Sequence, residues 1–159
     1  MAKATHCETC RRKFNLVRWR HNCNGCGKVI CGKCKTEALN IDLRSQSYGR
    51  SLVLCPVCWK RFSRDYRKAQ EVKVVSSGHV GGHRTIKILG KIYTKVHHRE
   101  PRDAKIELQY NAYKLGGNAI LDYYYHKHRH SESGSGEGTH YYTCFTAEGT
   151  VVIIEPYRR

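Results

Sequence analysis

Eight of the chain's nine cysteines stand in four CxxC pairs: Cys7/Cys10, Cys23/Cys26, Cys31/Cys34 and Cys55/Cys58. A two-residue spacer folds into a knuckle that lets both sulfurs of a pair reach one ion, and two tetrahedral zinc ions take eight thiolates. The spacing predicts a closed two-zinc module rather than a disulfide scaffold. The segment Gly27-Lys28-Val29-Ile30 between the second and third pairs is too short to fold by itself. Pairs joined so tightly commonly ligate different metals, which gives a cross-brace: Cys7, Cys10, Cys31 and Cys34 on one zinc, Cys23, Cys26, Cys55 and Cys58 on the other. Sequential pairing is the alternative. Either arrangement leaves no coordination position open for a hydrolytic water. With no phosphate-cradling glycine loop, serine elbow or paired carboxylates in a suitable context, the expectation is a protein that is not an enzyme.

The elements that must position these residues change character after Cys58. Trp59, Phe62, Tyr66 and Ala69 recur at helical spacing and predict an amphipathic helix closing a zinc domain over residues 1–70. From Glu71 the pattern turns to strands: a short run at Val72, Val74 and Val75, then Thr85 to His97 with Ile86, Ile88, Ile92, Tyr93 and Val96. Pro101 and Asp103 open a helix with Ala104, Leu108, Ala112 and Leu115 on one face, stopped by Gly116-Gly117. Ala119 to His130 and Thr139 to Ala147 read as a hairpin around a mobile Ser/Gly loop at 131–138, and Thr150 to Glu155 as a last, separate strand. Residues 71–159 thus form an α+β domain, mostly antiparallel sheet with one helix, behind a small zinc-stabilised cross-brace.

Charge narrows the partners. The formal net charge is +16, and residues 1–70 carry 16 Lys/Arg against 4 Asp/Glu. Eight thiolates and two Zn2+ lower that half's net +12 by 4, which leaves it strongly basic. Such a field attracts anionic lipid, nucleic acid or acidic protein surfaces. Met1 to His6 is short and polar, and no apolar run approaches the ~20 residues that span a bilayer, so a reducing, cytoplasmic location is expected. An RNA- or ribonucleoprotein-binding role, or a structural place in a larger assembly, is the runner-up function.

Around the cysteines, Cys7-x-x-Cys10-x-x-x-Phe14, Arg20-His21-x-Cys23-x-x-Cys26-Gly27-x-x-x-Cys31-x-x-Cys34 and Cys55-x-x-Cys58-Trp59 together resemble the FYVE zinc-finger family over about residues 7–66. The resemblance implies a zinc cross-brace with small hairpins and a C-terminal helix, docking on endosomal membranes through phosphatidylinositol 3-phosphate. It places anion-binding groups at Arg11, Arg12, Lys13, Arg18, Arg20 and His21, and an apolar insertion loop at Leu16 and Val17. The family's lipid pocket uses a tryptophan-x-x-aspartate before the first cysteine, an RRHHCR-type stretch and an arginine-valine-cysteine near the end. Here no tryptophan or aspartate precedes Cys7, the basic stretch reads Trp19-Arg20-His21-Asn22-Cys23-Asn24, and Val53-Leu54 precede Cys55. The resemblance therefore implies the fold and an anionic membrane ligand more strongly than selective reading of the 3-phosphate. Leu16, Val17 and Trp19 have an equal alternative use, completing a very small core.

In the second half, Leu115-Gly-Gly-Asn-Ala-Ile120 and Gly149-Thr-Val-Val152 are similar to short motifs of the YbjQ-like domain family over about residues 72–155. That likeness implies an interaction or homo-oligomerisation domain. His126, His128 and His130 alternate with Lys127 and Arg129, so on a strand the imidazoles share one face. That is ligand-like geometry, but the interleaved cations favour a solvated strand end. Cys144 reads as a buried core residue.

Overall fold

The computed structural model describes residues 4–39, 51–95, 97–133 and 139–157. It divides into two compact units, with the division falling between Asp65 and Tyr66.

The first unit holds two small antiparallel sheets. Strand β1 (Arg20–Asn22) pairs with β2 (Val29–Cys31), setting Arg20 opposite Cys31 and His21 opposite Ile30. Strand β3 (Thr36–Ala38) pairs with β4 (Leu52–Leu54). Helix α1 (Pro56–Ala69) follows at once, with Pro56 as its first residue, where a missing N–H costs nothing. Arg67 and Lys68 in its last turn complement the helix dipole. Half of the buried cluster is cysteine: Cys7, Cys23, Cys31 and Cys55 join Ile30, Ala38, Leu52 and Leu54, with Phe14, Trp59 and Phe62 packed at its border. Three large aliphatic side chains bury too little surface to fold a domain of this size, so its stability must come from metal.

The second unit is one helix on a mixed four-stranded sheet. Strands β5 (Lys73–Val74), β6 (His83–Tyr93), β7 (Ala119–Ser133) and β8 (Thr139–Pro156) lie in the order β5-β7-β8-β6, with β5 parallel to β7 and the other pairs antiparallel. Helix α2 (Pro101–Lys114) starts on its proline and stops in a Schellman turn. There the Gly117 and Gly116 N–H groups donate to the Ala112 and Tyr113 carbonyls, with Gly116 at φ 83°. Its Ala104, Leu108 and Ala112 bury completely against Ile120, Val151 and Ala147. The predicted fourth member of that face, Leu115, is the C-cap and lies exposed, because the chain turns off the helix there.

Two expectations change. The hairpin partner and the last strand are a single strand, β8, running through Glu148-Gly149 without a turn. Gly149 is there for space: a Cβ at this position would lie 2.4 Å from Ile120 Cγ2 and 3.1 Å from the Leu121 carbonyl oxygen. Cross-strand pairing also carries β7 through Ser133, into the segment expected to be loop; residues 134–138 of that expected mobile loop, and Val96, lie outside the described residues.

Strand β7 carries a bulge between Leu121 and Tyr124, with Asp122 at φ 52°. Beyond it, Tyr123, Phe145 and Ala147 pack on the α2 side. By strand alternation, His126, His128, His130 and Cys144 then fall on the opposite face.

Replacing Gly149 by Ala is expected to destabilise the second unit by about 1–3 kcal/mol, the usual cost of overpacking. Gly81→Ala, where a Cβ meets nothing within 4 Å, should change stability by under ~0.5 kcal/mol. Urea titrations of the two full-length variants, followed by far-ultraviolet circular dichroism, check the difference.

Candidate metal centres and the exposed basic loop

The cysteines gather as two interlaced quartets. The sulfurs of Cys7, Cys10, Cys31 and Cys34 lie within 4.8 Å of one another, and so do those of Cys23, Cys26, Cys55 and Cys58. The cross-brace is therefore the arrangement present, and sequential pairing is excluded. The Cys10–Cys31 and Cys26–Cys55 sulfurs stand 3.8 and 3.9 Å apart. A tetrahedron with Zn–S bonds of about 2.3 Å has edges of about 3.8 Å, so the donor sets fit zinc. The protein is a two-zinc finger with both sites closed.

Local backbone chemistry builds each quartet. The first two knuckles close alike: the Arg11 N–H donates to the Cys7 carbonyl and the Gly27 N–H to the Cys23 carbonyl, both at 2.8 Å. Gly27 takes the left-handed backbone at φ 76°, and Arg11 is forced into it at φ 59°. Sulfur then collects N–H donors. Cys7 Sγ accepts from the Cys31 and Cys10 amides at 3.3 and 3.5 Å, and Cys23 Sγ accepts from Cys55 at 3.2 Å. Burial works against ionising the Cys7 thiol, but these amides outweigh it and hold its pKa down at about 6; Cys23 is held at about 7 in the same way. Burial, then neighbouring sulfurs, pushes Cys34 up to about 12 and raises Cys58 likewise. Four thiolates cannot ionise together in so small a space unless a dication replaces the protons.

Two residues outside the motif complete the second site. A Cβ on Gly25 would sit 3.0 Å from Cys58 Sγ, so the glycine makes room for a ligand. Asn24 exchanges two bonds with Val53, its N–H donating to the carbonyl (2.8 Å) and its Oδ1 accepting the amide (2.7 Å), which ties this knuckle to β4. Spacing alone marks neither, because each role depends on a contact about thirty residues away.

The predicted lipid-facing residues have a different setting. Leu16 is 95% exposed, Val17 89% and Trp19 73%, so none of the three fills the core. Asn15 Oδ1 accepts the Val17 and Arg18 amides, folding the chain into a tight loop with the aliphatic pair at its tip. Phe14, Asn15, Leu16, Arg18, Trp19 and Arg20 line one open concavity. Arg20 stacks its guanidinium over Phe14, 5.3 Å from the ring centroid. Arg11, Arg12 and Lys13 are exposed, while Arg18 and His21 are half-buried. His21 sits in β1 and has no part in either quartet.

Residues 1–64 match the FYVE zinc finger family and are a FYVE zinc finger. The chain is similar to Lateral signaling target protein 2 of Caenorhabditis elegans, 36% identical over 53 residues, which are 33% of this chain and 8% of that protein. It is also similar to human RUN and FYVE domain-containing protein 1 (32% over 56 residues, 35% of this chain, 7% of that one). A third relative is mouse Zinc finger FYVE domain-containing protein 16 (31% over 68 residues, 40% and 4%). The chain thus spans less than a tenth of the length of each of these relatives. No solved structure matches it. The family match ends at residue 64, and the likeness of residues 72–155 to YbjQ-like domains finds no support in these comparisons.

Each structural zinc contributes about 10–16 kcal/mol to folding of such a module. Chelation of the full chain is expected to collapse the environment of Trp59 while circular dichroism retains the sheet signal of the second unit. In a cadmium-113-loaded sample, one metal should correlate with the β-protons of Cys7, Cys10, Cys31 and Cys34 only. A metal correlated with both Cys7 and Cys23 would contradict the cross-brace.

Proposed function

We propose that the chain is a non-catalytic zinc-finger adaptor that docks peripherally on anionic, phosphoinositide-bearing membranes, endosomal ones on the cytoplasmic side. The second unit is the interaction module. The observation that carries the reading is the loop tip of Leu16 and Val17, left almost fully in water and flanked in the sequence by Arg11, Arg12, Lys13, Arg18 and Arg20. Two adjacent aliphatic side chains at a loop tip contribute nothing to a soluble fold. Sunk into a bilayer, each gains about 1.5–3 kcal/mol, and each nearby cation adds about 1 kcal/mol against an anionic leaflet. No helix among the described residues is long and apolar enough to cross a membrane.

The FYVE match supports a phosphoinositide as the headgroup, and this chain's own residues qualify its selectivity. Each charge-assisted bond to a phosphate contributes about 1.5–3 kcal/mol. Trp19, Asn22, Asn24 and Val53 stand where the family's motifs supply cations or a second histidine, leaving Arg20 and His21 as the motif's donors. Binding then follows total anionic charge, with a modest preference for the 3-phosphate.

Sedimentation with phosphatidylserine vesicles, with and without phosphatidylinositol 3-phosphate, tests this at ~0.15 M salt. The double variant Leu16→Ala/Val17→Ala is expected to lower vesicle affinity at least about tenfold without changing the zinc content, and Arg18→Gln/Arg20→Gln by about tenfold or more. Absence of binding to every anionic vesicle, together with steeply salt-dependent RNA binding, would overturn the membrane reading in favour of the nucleic-acid one.

A further inference from the structure

The face of the sheet opposite α2 gathers a second set of metal-binding side chains that the finger does not use. His97 lies in the segment between β6 and α2, His130 on β7 and Cys144 on β8. Their ligand atoms all lie within 4.8 Å of one another, a span that also encloses each cysteine quartet. His97 Nδ1 and Cys144 Sγ stand 3.1 Å apart, and the His97 and His130 rings have centroids 5.5 Å apart.

The cluster is held from behind. His98 bridges to Phe145 through two backbone bonds of 2.9 and 2.7 Å, and its Nε2 meets the fully buried Glu107 of α2 at 2.7 Å. That clamp fixes the neighbouring residue, His97, over β8 on the other face. Cross-strand register sets His128 opposite Cys144 and His130 opposite Tyr142, placing His130 one step along from the thiol. The His128 ring lies 4.9 Å from that of His97, tilted by 48°, but its Nε2 is committed to Thr146 Oγ1 at 2.8 Å. Cys144 is buried and His97 and His130 are half-buried, so an ion there is partly shielded from water.

We propose that His97, His130 and Cys144 form a third metal site, in the second unit, that takes a borderline transition-metal ion of the zinc class on two imidazole nitrogens and one thiolate. This donor set is distinct from the all-sulfur finger sites. Two nitrogens and a sulfur suit Zn2+, Co2+ and Cu2+, and exclude Mg2+ and Ca2+, which demand oxygen. Three protein donors leave one coordination position to water or a small exogenous ligand.

The test uses the full chain with both finger sites filled by zinc, titrated with Co2+. Cobalt lies below zinc in the affinity series and does not displace it from the thiolate quartets. The expected result is one equivalent of tetrahedral Co2+ absorption with a thiolate-to-cobalt charge-transfer band. Cys144→Ser should abolish that band, His97→Gln and His130→Gln should weaken binding at least about tenfold, and His126→Gln should leave it unchanged. His97 is half-buried, so His97→Gln remains decisive should Cys144→Ser disturb the sheet; melting curves identify a disturbed variant. Absence of the third-equivalent bands would overturn the proposal. So would bands that survive both Cys144→Ser and His97→Gln.

Discussion

Thiolate coordination by interlaced pairs is the constraint on which the finger depends. Its buried aliphatic core is Ile30, Leu52 and Leu54 with Ala38, far short of what offsets chain entropy. The metal sites supply the remainder, and they also set topology. Because the second and third pairs serve different ions, the Gly27–Ile30 segment is held at both ends and leads from the Cys23–Cys26 knuckle into β2, which pairs back on β1. Everything that faces outward, including the Leu16–Val17 tip, is presented by a frame whose rigidity is inorganic.

That origin explains how so small a unit leaves Leu16, Val17 and Trp19 in water. A domain folded by apolar burial would have drawn them inward, since nothing else would stabilise it. One folded by metal can leave its largest exposed apolar residues outside and surround them with cations. The forced left-handed turn at Arg11 belongs to the same pattern. Gly27 shows which residue relaxes this turn, so the finger carries an arginine there at a backbone cost of about 1–2 kcal/mol.

Local signals reached a good deal of this from the sequence. The CxxC spacing fixed the donors and the short second gap favoured the cross-brace, because both depend on chain length rather than on packing. Proline and tandem glycine marked the ends of α2 through backbone chemistry that acts within a few residues. What escaped depends on distant contacts. Gly149 fell in the gap between two expected strands and is instead the space into which Ile120 and Leu108 pack. Gly25 is a clearance for Cys58. His97 and Cys144 are 47 residues apart and meet beside the pairing of His98 with Phe145, so no spacing rule could join them. The alternating histidines were visible, but the thiol that gives them a chemical use was not.

The bulge in β7 has a consequence for the whole ribbon beyond it. One extra residue between Leu121 and Tyr124 shifts the odd-even parity of the strand, so Ile120 and Tyr123 both pack on the helix side. Were Asp122 kept but paired in regular alternation, with no bulge, every residue after it would change sides. Tyr123 would leave the α2 side, and the three imidazoles would exchange faces with Lys127 and Arg129. A single left-handed aspartate thus acts as the parity bit of this sheet, deciding which of its two faces each later side chain of the ribbon joins.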